Sequence, residues 1–102
     1  MAKFVYLYTG GQMADTPEDQ EKAMQEWGAW FGKLGAAVKD MGNPFGASAT
    51  VSGSGSTGHG TSHAGGYSIV EADSLEDAKT KAIGCPVLTG GGAVEVYEAI
   101  PM

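Results

Sequence analysis

The sequence predicts one domain of mixed α and β structure, built as two successive β-α-β halves. Three observations predict it. Residues 67–72 form a short apolar run that passes into a helix start at Asp73-Ser74-Leu75-Glu76-Asp77 and a stop at Gly84-Cys85-Pro86, and a Gly90-Gly91-Gly92 turn then leads to a second strand-like run over 93–100. An earlier segment repeats that order, with residues 4–9 reading as strand, 17–38 as helix and the region after Pro44 as strand again. At 102 residues the chain, taken whole over 1–102, has room for one domain with a modest core.

In the first strand, alternation puts Val5 and Leu7 on one side and Phe4, Tyr6 and Tyr8 on the other. The first helix starts at Thr16, a good N-cap, with Pro17 in the first turn and Glu18 and Asp19 on the positive end of the dipole. Ala23, Trp27, Trp30, Phe31, Leu34 and Val38 recur at three- and four-residue spacing and give one apolar, aromatic stripe. Gly28, Gly32 and Gly35 each weaken helix propensity by about 1 kcal/mol relative to Ala, so packing of the stripe must hold the helix. Two tryptophans one turn apart read as core before they read as a ligand platform.

A second strand is expected over 47–52, followed by a flexible Gly- and Ser-rich loop over 53–66. Within it Gly53-Ser54-Gly55-Ser56-Thr57-Gly58 spells the dinucleotide string G-x-G-x-x-G. Phosphate binding needs a helix to start at that turn, and the glycine-rich residues 59–66 do not form one readily. His59 and His63 in the same loop have no Cys, Asp or Glu between 41 and 70 to complete a metal site, and are kept as proton carriers should the loop fold over a pocket. The second helix has Ser74 as cap, Leu75, Ala78 and Ala82 as buried stripe, and Lys79 and Lys81 toward solvent.

The later strands sharpen the functional question. Tyr67, Ile69 and Glu71 oppose Val70, while Glu95 and Tyr97 oppose Val94 and Val96. Two helices cover only one face of a sheet, so a second face rich in tyrosine must meet something else, and a second copy of the chain is the expected cover. On that face the expected walls are Tyr6, Tyr8, Tyr67 and Tyr97. Glu71 and Glu95 are the candidate acids or bases, their pKa values raised by half-burial. The competing reading has the tyrosines packing a dimer interface and the glutamates at its wet rim.

Composition excludes several classes of partner. Six Lys and Arg against twelve Asp and Glu give a net charge of -6, which repels nucleic acid and anionic lipid. No apolar run approaches the roughly 20 residues of a bilayer span, and Met1-Ala2-Lys3 leads into a strand without a signal-peptide pattern, so a cytoplasmic chain is expected. The one cysteine, Cys85, makes no internal disulfide and reads as a buried structural thiol.

The run from Gly65 through Glu71-Ala72-Asp73-Ser74-Leu75-Glu76-Asp77-Ala78, then Cys85-Pro86 and Gly91-Gly92-Ala93-Val94-Glu95-Val96, resembles the YCII-related proteins, in particular the DGPF-like branch. Phe4-Val5-Tyr6-Leu7-Tyr8, the helix around Trp27 and Gly42-Asn43-Pro44-Phe45 fit the same pattern, so the resemblance covers nearly the whole chain. It implies a ferredoxin-like βαββαβ fold of the α+β class, an antiparallel four-stranded sheet with two helices on one face, pairing sheet to sheet as a dimeric α/β barrel. Some relatives eliminate HCl from chlorinated rings through a His on the first helix and an Asp. Here that helix carries no His and the D-G-P-F string is absent, so only Asp40 and the Gly42-Asn43-Pro44 turn carry over, as pocket wall.

Two functions follow as expectations. One is a small dimeric enzyme performing proton transfer or elimination on a ring or lactone-like compound, with Glu71, Glu95, His59 or His63 and the tyrosines as players. The other is a homodimer that binds a small ligand or is structural only. Neither implies a cofactor, a metal, a nucleic acid or a membrane. A convergent acid and base in one cavity favours the first, and tyrosines packed tight without a cavity favour the second.

Overall fold

The computed structural model describes residues 2–10, 16–58 and 63–101. The elements are β1 (Ala2–Thr9), α1 (Pro17–Leu34), β2 (Val38–Asp40), β3 (Thr50–Ser52), β4 (Gly55–Thr57), β5 (Ala64–Ala72), α2 (Leu75–Ala82), a short α3 (Pro86–Thr89) and β6 (Ala93–Ala99). Four strands form an antiparallel sheet in the order β2-β5-β1-β6, compatible with a ferredoxin-like arrangement. The fold is α+β.

Both long helices lie on the same face of the sheet. Trp30 of α1 stacks on Tyr6, with ring centroids 6.1 Å apart, while Trp27 meets Tyr8 edge-on at 4.9 Å. From α2, Ala78 and Ala82 enter the same core, and the Tyr6 hydroxyl donates to the Ala78 carbonyl. Phe4, Tyr6, Tyr8, Val70, Ala72 and Cys85 are buried there. Thr16 caps α1 by accepting the Asp19 N–H at 3.1 Å, and Ser74 caps α2 by accepting the Asp77 N–H at 3.0 Å. Among the described residues no helix is long and apolar enough to cross a membrane.

Two sequence expectations are corrected in the first half. The helix predicted to run through Val38 stops at Leu34, because Gly35 takes φ 59° and its N–H turns back to the Phe31 carbonyl. After a 3₁₀ turn, Val38 opens β2 and pairs with Val70. The strand expected over 47–52 survives only as β3, which joins β4 in a separate hairpin around Gly53-Ser54 rather than the main sheet. The Gly- and Ser-rich stretch expected as loop therefore holds paired strand at 55–57, and β5 starts at Ala64, earlier than residue 67.

Between β2 and the hairpin the chain stays against β5. Phe45 N–H donates to Gly65 O at 2.8 Å, Tyr67 N–H donates to Asn43 O at 3.3 Å, and Pro44 forms a bridge with Gly66. Gly42 makes this approach possible: at φ 77°, a Cβ would stand 1.7 Å from the Tyr67 carbonyl oxygen.

Candidate functional site

Register decides which side chains share the face opposite the helices. In β1, Val5 pairs with Ile69 on one side and Tyr97 on the other, and Leu7 pairs with Tyr67 and Glu95. These residues form a half-buried apolar strip, Val5, Leu7 and Ile69, bordered by two tyrosines. Tyr97 is 53% exposed. No described helix packs on this side, since the helix residues of the core all meet the opposite face.

Tyr6 and Tyr8 do not belong to this site, contrary to the sequence expectation. Tyr6 pairs with Val96 and Tyr8 with Val94, and both tyrosines point under the helices. The Tyr8 hydroxyl donates to Ser68 Oγ at 2.7 Å, and Ser68 Oγ donates to the Met41 carbonyl at 2.6 Å, a chain that runs from the core out to the segment after β2. Burial raises both phenols, Tyr6 to about 12 and Tyr8 further, so neither ionises near neutral pH. Both apolar faces of β1 carry large side chains, and the tryptophans of α1 choose the tyrosine side.

Each tyrosine that does border the open face touches a carboxylate. Tyr97 donates its hydroxyl to Glu95 Oε1 at 2.8 Å, which raises the Tyr97 pKa because the carboxylate stabilises the neutral phenol. Tyr67 donates to Asp40 Oδ2 at 3.3 Å, while Asp40 Oδ1 accepts the Gly42 N–H at 2.8 Å. Phe45 stacks on Tyr67 with centroids 5.8 Å apart. Asp40 thus borders the site, and Pro44 sits at the sheet edge beside it.

Glu71 behaves opposite to expectation. Lys39 Nζ lies 2.8 Å from its Oε1 and holds its carboxyl below the usual range, so it stays ionised and is a poor proton donor. Sequence reasoning missed Lys39, because its partner became visible only once β2 was placed at 38–40. It also passed over Lys3, which the same alternation puts in line with Val5 and Leu7, directly across from Glu71.

His63 stands elsewhere. With Ala64 and the 45–49 segment it lines a cavity of about 390 Å³ that includes neither Glu71 nor Glu95. His59 lies outside the described residues. Among the described residues no group of three or more His, Cys, Asp or Glu gathers as a metal site. Cys85 is buried at the start of α3, and burial pushes its thiol up to about 11, which makes it inert.

Fold and face together define an α+β sheet protein with one side layered by helices and the other lined by tyrosine–carboxylate pairs. Comparison of the chain with protein-family models, with curated proteins and with solved structures finds no match.

Proposed function

We propose that the protein is a homodimer joined through the open sheet face, and that the space between the two sheets takes up a small neutral aromatic or carbonyl compound. The observation that carries this reading is the strip of Val5, Leu7 and Ile69 between two tyrosine–carboxylate pairs, Tyr97–Glu95 and Tyr67–Asp40. Apolar side chains on a sheet face call for a second layer, and amphipathic tyrosines with fixed hydroxyls suit a ligand that needs an apolar wall and one polar contact. A dimer of this kind agrees with the resemblance to YCII-related proteins. The test is titration of 4-hydroxyacetophenone, followed by NMR, into the chain and its Glu95→Gln variant. The reading expects saturable binding, about tenfold weaker in the variant, compared at chain concentrations where both are dimeric. A variant that binds the probe as tightly as the parent chain removes the ligand site.

A second reading adds chemistry on the same face: proton transfer or elimination on a small ring or lactone-like compound, with Glu95 as base. The short Tyr97–Glu95 contact favours it, since a phenol and a carboxylate in hydrogen-bond reach can pass a proton. Binding takes precedence because His63 lines another cavity and Glu71 is held ionised by Lys39. Only Tyr97 then stands beside Glu95 as a donor among the described residues.

A further inference from the structure

The open face is polarised along its strands. At one end stand Lys3 and Lys39 with Glu71 between them; at the other stands Glu95, level with Leu7 and Tyr67. Glu71 is already engaged by Lys39 at 2.8 Å, and Lys3 makes no ion pair among the described residues. Glu95 uses one oxygen for the Tyr97 hydroxyl. Its second oxygen can accept another donor. Lys3 and Glu95 are too far apart within one chain to meet: the ladder puts Glu95 beside Leu7, four residues or about 13 Å along β1 from Lys3.

We propose that two copies pack with their open faces related by a two-fold axis that runs across the strands, near Val5, so that Lys3 of each copy reaches Glu95 of the other. The inference rests on the dimer reading above and adds the orientation and the residue that each copy contributes to the Tyr97–Glu95 pair. A face-to-face pair has two simple in-plane axes. An axis along the strands lays the lysine end over the lysine end, whereas an axis across them lays lysine over glutamate twice. Like charges facing each other at an interface are strongly disfavoured, and opposite ends meeting fixes the register. Packed sheets stand about 10 Å apart, a gap that a lysine and a glutamate side chain span together. The strip of Val5, Leu7 and Ile69 then lies at the centre and the charges toward the ends, the usual layout of an apolar interface core with a polar rim.

Charge exchange tests it. Lys3→Glu sets carboxylate against carboxylate at both cross-chain contacts, and Glu95→Lys sets ammonium against ammonium, so each single variant dimerises at least about tenfold more weakly than the parent chain. Mixed in equal amounts, the two variants form a heterodimer in preference to either homodimer, because both cross-chain contacts then pair a carboxylate with an ammonium, whereas in each homodimer both pair like charges. The double variant K3E/E95K recovers the homodimer. Native mass spectrometry and sedimentation velocity read all three. If the parent chain is a dimer and each single variant dimerises as tightly as the parent, the orientation is wrong while the dimer stands. If the parent chain is a monomer, both readings fall.

Discussion

Tyr97 gives its hydroxyl proton to a hydrogen bond with Glu95 Oε1, 2.8 Å away, on the side of the sheet that carries no helix. The two residues lie two apart on one strand, so they project from the same face and need no loop to bring them together. Tyr67 repeats the arrangement with Asp40, but through the less regular edge at β2, and its contact is longer at 3.3 Å.

That contact makes a direct spectroscopic prediction. The Glu95 carboxylate holds the Tyr97 phenol above its ordinary range, because ionising the phenol would set two negative charges side by side. Glu95→Gln removes the charge and keeps the shape, so the Tyr97 ring titrates at lower pH in the variant. An NMR titration of the ring resonances gives the answer, and an unchanged midpoint would show that the pair does not form in solution.

Alkaline pH is expected to weaken the fold through its core. Folded Cys85 binds its proton up to about pH 11 against an ordinary value of 9.0, and Tyr6 up to about 12 against 10.0. The unfolded chain gives up these protons first, so the folded state binds more protons in that window and stability declines as pH rises. The contribution is complete below about pH 9 and is lost by about pH 12. Urea midpoints measured from about pH 8 to about pH 12 should decline across this range; a flat profile would mean that water reaches Tyr6 and Cys85.

Two glycine substitutions act in opposite directions. Gly28→Ala on α1 meets no atom within 4 Å and raises stability by about 0.5–1 kcal/mol through helix propensity. Gly42→Ala drives a Cβ into the Tyr67 carbonyl at φ 77° and lowers stability by about 2–4 kcal/mol. Thermal melts of the two variants separate these outcomes, and a neutral Gly42→Ala would mean that residues 42–45 do not lie against β5.

The starts of both long helices were legible in the sequence, because Thr16, Pro17 and Ser74 act locally through caps. It did not reveal which face of β1 is core. Phe4, Tyr6 and Tyr8 on one side and Val5 and Leu7 on the other are all apolar, and only the docking of Trp27 and Trp30 decides. Gly28, Gly32 and Gly35 look alike as letters, yet only Gly35 turns to positive φ and ends the helix. That one turn releases residues 38–40 to form β2. The Lys39–Glu71 pair follows from it, and so does the reversal of the role expected for Glu71. At the candidate site, Glu95, Tyr97 and Tyr67 were visible through alternation, whereas Phe45 and Lys39 depend on the path of a short edge strand.

On the dimer proposal, a second copy of the chain closes the face bearing Val5, Leu7, Ile69 and the Tyr97–Glu95 pair. Light scattering coupled to size exclusion, run on the parent chain and on Val5→Glu at micromolar concentration, decides whether it does. The expected result is a mass twice that of the chain for the parent and a folded monomer for the variant, because Val5 lies at the middle of the strip, between Ile69 and Tyr97, and a carboxylate there would be buried against its own copy. A parent chain that stays monomeric, or a Val5→Glu chain that remains a dimer, contradicts it.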